Sequence, residues 1–145
     1  MLPRRTYLCC NSPPLAGALN SERHLMAYIN LNADNFNTHM KEEGLVILDF
    51  WAPWCGPCKM FGPTFEAASE KHADIVFGKI NTEDERDLAA HFNIRSIPTL
   101  IAIKDGIMVF NQAGAMMAAQ FEQLIQGLRE LDMDKVRADI ASQQE

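Results

Sequence analysis

The chain has 145 residues, 48% of them hydrophobic and 22% charged, with a formal net charge of −6. That length suits one domain with a real core. The acidic balance and the lack of a Lys/Arg-rich run disfavour polyanionic partners, so no nucleic-acid or anionic-membrane binding is expected. No stretch approaches the roughly 20 apolar residues of a membrane helix, and a soluble chain is expected.

Residues 1–25 carry Pro3, Asn11, Ser12, Pro13, Pro14 and Gly17, show no sustained periodicity, and contain no acid before Glu22. They read as a disordered extension ahead of a start near Met26. The alternative is a twin-arginine leader, Arg4-Arg5-Thr6-Tyr7-Leu8 followed by Ala16-Gly17-Ala18. Its central segment, however, is broken by Asn11, Ser12 and two prolines. Adjacent Cys9 and Cys10 bridge poorly and read as incidental thiols.

From Met26 onward, periodicity predicts alternating elements. Ala27–Leu31 reads as a short strand, and Asn32 or Asp34 caps a helix through Glu43, which Gly44 ends. Leu45–Trp51 is a nearly continuous apolar strand interrupted by one acid, Asp49, the pattern of a central strand covered on both faces. A helix is expected from about Cys55 to His72, bent at Pro63, with Phe61, Phe65 and Ala68 on one face. Ile75–Ile80 is a strand and residues 83–92 a short helix with Leu88 and Phe92 inward. Thr99–Ile103 and Ile107–Phe110 form a hairpin across Lys104-Asp105-Gly106. Ala115–Glu130 is an amphipathic helix, and Asp132 caps one further helix. The expected fold class is α/β, one domain with a mixed sheet spanning 26–131, plus a C-terminal helical extension at 132–145.

The chemistry concentrates at Trp54-Cys55-Gly56-Pro57-Cys58-Lys59, after the buried strand and at the start of a helix. A thiolate is the attacking species in disulfide exchange, and the N–H groups and dipole of a helix N-terminus favour that charge. Cys55 is therefore the candidate nucleophile, with Cys58 three residues on as the resolving thiol. Pro57 fits the first helical turn, where no backbone donor is required, and stiffens the loop that begins at Gly56. Zinc is disfavoured, since one Cys-x-x-Cys supplies two ligands of about four. No metal and no bound cofactor are expected beyond a redox-active Cys55–Cys58 disulfide. Asp49 inside an apolar strand is costly as a charge, so its pKa should rise toward that of a proton acceptor; a hydrogen-bonded core acid is the plainer alternative.

The segment from Phe50 to Lys59 resembles the thioredoxin active site, of the bacterial WCGPCK type. Ile94-Arg95-Ser96-Ile97-Pro98-Thr99-Leu100 resembles that family's cis-proline segment, and Asp105-Gly106 and Gly114-Ala115 fall at its hairpin turn and substrate-binding glycine. The resemblance runs from about Met26 to Glu130. It implies a central mixed five-stranded sheet flanked by helices and a protein-disulfide reductase acting as an electron carrier. It implies that Asp49 takes a proton from Cys58 and that Lys79 faces this acid, although Lys79 also reads as a solvent-facing strand lysine. It implies that Pro98 is cis, where sequence alone equally allows an ordinary trans proline. Trp51, Trp54, Ile97, Gly114 and Ala115 would form a shallow apolar rim for substrates. Met116 and Met117 either extend that rim or pack into the core, the plainer reading.

The implied partners are protein disulfides and an NADPH-linked thioredoxin reductase, for a monomer in the cytoplasm. Two other functions remain open on the same fold. One is a disulfide oxidase or isomerase, disfavoured because the Gly-Pro spacer lacks a His; the other is a chaperone-like binding module with incidental thiols.

Overall fold

The structure, a computed structural model, describes residues 27–40 and 43–143. The readings made on residues 1–25, including Cys9 and Cys10, lie outside the described residues. The elements are β1 (Ile29–Asn30), α1 (Phe36–His39), β2 (Leu45–Trp51), α2 (Gly56–Lys71), β3 (Val76–Asn81), α3 (Arg86–His91), β4 (Thr99–Lys104), β5 (Ile107–Ala113), α4 (Ala118–Glu130) and α5 (Met133–Gln143).

The strands form one sheet in the order β1-β3-β2-β4-β5, with β1, β3 and β2 parallel and β4 and β5 antiparallel. The apolar run of β2 lies at its centre because both of its faces are covered. Leu45 and Ile47 join Phe61 and Phe65 of α2 and Phe121 and Ile125 of α4 in one core cluster. Val46, Leu48 and Phe50 point the other way, into a cluster closed by Phe36, Leu88 and Phe92. This alternation is the period-2 geometry of a strand, and it puts Asp49 and Trp51 on the α2 face. Phe65 and Phe121 stack with ring centroids 6.0 Å apart, and Phe77 meets Phe65 edge-on at 5.3 Å.

Several boundaries differ from the sequence reading, each for a local reason. The first strand shortens to Ile29–Asn30 and the first helix to one turn, Phe36–His39. Here Asn32 Oδ1 accepts the N–H groups of Asp34 and Asn35, the capping role expected of it, and Asn32 O accepts from Phe36 N–H. Met40 is already extended, so the helix ends well before Gly44. The third helix begins at Arg86 because Asn81 holds the preceding turn, accepting from Glu83 through Oδ1 and from Glu85 through its carbonyl.

Helix α2 runs unbroken through Pro63. Strand β5 continues past Phe110 to Ala113, since pairing with β4 persists on an edge that tolerates polar Asn111 and Gln112. Gly114, at φ +108°, donates its N–H to Pro98 O at 2.7 Å, which delays α4 to Ala118. In the β4–β5 turn Asp105 and Gly106 both have positive φ, as a two-residue hairpin requires. Asp132 Oδ1 accepts from Asp134 N–H at the start of α5, the expected cap. Met133 is buried there, and Lys104 Nζ donates to the carbonyls of Leu128, Arg129 and Leu131 at the α4–α5 junction.

Candidate active site

Strand β2 ends at Trp51, and the chain turns through Ala52-Pro53-Trp54 directly into α2. Cys55 is the N-cap of that helix: its backbone is extended, and its Sγ accepts the Cys58 N–H at 3.2 Å. Pro57 occupies the first turn, where a missing N–H costs nothing. Cys55 and Cys58 are joined by a disulfide, with Cα atoms 5.2 Å apart. Both are buried to the same degree, 4% exposed, so exposure does not tell them apart. Their places in the helix do. Cys55 Sγ sits on the free N–H groups of the N-terminus, where negative charge is stabilised, whereas Cys58 lies inside the first turn.

Ala52, Trp51 and Ile97 pack against the two sulfurs. The Ile97–Pro98 peptide bond is cis, and Ile97 O lies 3.8 Å from Cys55 Sγ. Gly114 is tied to the same segment through its bond to Pro98. Trp54 is 67% exposed, its indole N–H donating to Glu83. It borders a groove of about 410 Å³ whose walls include Thr82, Ala89, Ile94, Arg95, Ser96 and Ile97. Ala115 lines a separate hollow with Phe110, Gln112 and Met116. The methionine pair divides: Met116 packs on the core, while Met117 is 73% exposed. Packing thus holds for the first of the two and not for the second.

Asp49 is 1% exposed, and among the described residues no protein group hydrogen-bonds either carboxylate oxygen. Burial raises its pKa from 3.8 to about 7; the Lys79 ammonium opposes that rise and the Glu66 carboxylate adds to it. Lys79 is the register partner of Asp49 across β2 and β3. Its side chain is only 12% exposed, so it is not a solvent-facing lysine. Its ammonium lies 3.5 Å from Glu66 Oε2 and about 5 Å over the rings of Trp51 and Tyr28.

Sequence reasoning passed over Glu66, Glu83 and the Thr82, Ala89 and Arg95 walls of the groove. A signal existed for Glu66: Cys58, Gly62 and Glu66 recur every fourth residue and share one helix face. Among the described residues no group of three or more His, Cys, Asp or Glu side chains is arranged to hold a metal ion.

Comparison with known proteins agrees with this geometry. The thioredoxin family model matches residues 27–130. The chain is 46% identical over 116 residues to a Streptomyces coelicolor protein bearing a provisional thioredoxin 2 name, covering 80% of this chain and 87% of that one. It is 46% identical over 81 residues to the thioredoxin of Haemophilus influenzae, covering 55% of this chain and 76% of the relative. Among solved structures, the Malassezia sympodialis thioredoxin Mala s 13 superposes with a TM-score of 0.62 at 30% identity, over 68% of this chain and 88% of its own. With a family match over most of its length and a disulfide at the head of α2, the chain belongs to the thioredoxin family and is a thiol–disulfide oxidoreductase.

Proposed function

We propose that the chain reduces disulfides in other proteins by dithiol–disulfide exchange, with Cys55 attacking, Cys58 resolving and Asp49 accepting a proton. The observation that carries this reading is the Cys58 N–H donated to Cys55 Sγ at the N-cap of α2. It favours the thiolate on Cys55 once the disulfide is opened. That thiolate attacks one sulfur of a substrate disulfide, forms a mixed disulfide and expels the other substrate sulfur as a thiolate. The Cys58 thiol then passes its proton to the Asp49 carboxylate. Cys58, now a thiolate, attacks the Cys55 sulfur, closes the Cys55–Cys58 bond and releases the second substrate sulfur as a thiolate, which takes its proton from solvent. Two electrons move from the protein dithiol to the substrate, and the closing step is fast because both thiols are held on one turn.

An acceptor with a pKa of about 7 is suited to this proton transfer near neutrality. Trp51, Trp54, Ile97 and Gly114 serve as the surface on which an extended substrate segment lies, with the groove beside Trp54 extending it. Ala115 contributes through the neighbouring hollow. Gly56, Pro57, Lys79 and Pro98 support the site. We assign residues 26–131 to the catalytic domain and 132–145 to a C-terminal helical extension. The partners are protein disulfides and an NADPH-linked thioredoxin reductase; no bound cofactor is required, and the protein works as a cytoplasmic monomer.

The test is capture with Cys58→Ser. This change should stall the mixed disulfide on Cys55, so that mass spectrometry finds disulfide-linked protein partners on that residue alone. Failure to trap any protein through Cys55 would sink the mechanism. A redox potential measured against glutathione separates reductase from oxidase: a value at the oxidising end would favour the second.

A further inference from the structure

The cation nearest in register to Asp49 is not bonded to it. Lys79 lies across from Asp49 in the parallel β2–β3 pair, yet its ammonium pairs with Glu66 of α2, 3.5 Å away, and it makes no hydrogen bond to either Asp49 oxygen. The Glu66–Lys79 pair lies over Gly62, where an added Cβ would come 3.8 Å from Glu66 Oε2 and 3.9 Å from Lys79 Nζ. Lys79 also borders a hollow of about 320 Å³ with Trp51, Asn81, Asp84 and Glu85. Its side chain is therefore not packed on every side.

We propose that Glu66 is a positioning residue that holds the Lys79 ammonium away from the Asp49 carboxylate and so keeps Asp49 able to accept a proton. The proposal rests on the reading of Asp49 as acceptor. Two charged groups act on that carboxyl, Lys79 from β3 and Glu66 from α2, with opposite signs. Cys58 shares the helix face of Glu66, the β4 neighbour of Asp49 is the apolar Leu100, and Asp84 and Glu85 stand across the hollow from Lys79. A buried carboxylate with a free ammonium in hydrogen-bond reach would stay ionised and match the proton demand of Cys58 poorly. By occupying Lys79, Glu66 prevents that pairing.

The experiment is a carbon-13 carboxyl NMR titration of the oxidised full chain, in which neither active-site thiol titrates. Glu66→Gln should lower the Asp49 midpoint by about half a pH unit or more, and Lys79→Met should raise it. In a Lys79→Met background, Glu66→Gln should move Asp49 by less than half as much, because its route through Lys79 is gone. An unmoved or raised midpoint in Glu66→Gln overturns the proposal. So does a full-sized shift that persists without Lys79, which would mean that Glu66 acts by its field alone. The rate of mixed-disulfide resolution against pH in Asp49→Asn tests the underlying reading separately. A profile unchanged from the parent would remove Asp49 as acceptor while leaving the titration results to stand.

Discussion

Replacing Asp49 with Asn should shift the stability of the oxidised protein in the variant's favour by an amount that grows with pH. The folded carboxyl holds its proton until about pH 7, while in the unfolded chain it loses it near the ordinary value of 3.8. Between those values the unfolded state binds fewer protons than the folded one, so stability falls as pH rises. The cost is absent well below pH 4, where both states are protonated, and complete above about pH 7. A gap of about 3 pH units at 1.36 kcal/mol each corresponds to about 4 kcal/mol. Solvent screening takes little from this figure, because the side chain is 1% exposed.

The amide never ionises, so the variant escapes the penalty. Its fixed packing and hydrogen-bond differences are the same at every pH and cancel when pH values are compared. Urea unfolding of both oxidised proteins should show the advantage of the variant widening by about 2.5 kcal/mol from pH 5 to pH 8. A difference that stays flat over that range, or one that shrinks, would refute the argument that burial controls this carboxyl.

Three further substitutions probe the scaffold around the site. Gly78→Ala should destabilise by about 1–3 kcal/mol in urea unfolding, because the new Cβ overlaps Leu31 Cδ1 and lies 3.0 Å from Leu31 Cγ and 3.3 Å from Leu48 Cδ2. Lys104→Met removes the donor that serves three carbonyls at the end of α4. It should cost about 1–3 kcal/mol and speed amide exchange in the last turn of α4 and in α5. Trp54→Ala should leave stability within about 0.5 kcal/mol, as expected for a largely exposed side chain. It should slow reduction of a protein disulfide more than of a small-molecule disulfide; equal loss on both would argue against a substrate-contact role.

Much of the fold was legible because its signals are local. The run from Leu45 to Trp51 carries its own proof of double burial, and the structure puts its side chains alternately into two clusters. The cysteine spacing, with Pro57 in the first turn, marks a helix N-terminus, and Cys55 is indeed the cap. Boundaries failed where side chains bond their own backbone. Asn81 forms a turn where periodicity alone extended a helix.

The sequence by itself determined that one acid would be buried in a central apolar strand beside a dithiol, since hydrophobic pattern and cysteine spacing are properties of neighbouring residues. Only the tertiary structure decided which cation faces that acid and which carboxylate that cation pairs with. Asp49 and Lys79 meet through the parallel register of β2 and β3, a pairing made across the intervening helix. Glu66 reaches Lys79 only because α2 packs on that face of the sheet, turned so that Gly62 clears the way. The partner of a buried charge depends on which side chains a fold brings within a few ångströms, and residues 13 to 30 positions apart acquire that proximity only when sheet and helix dock.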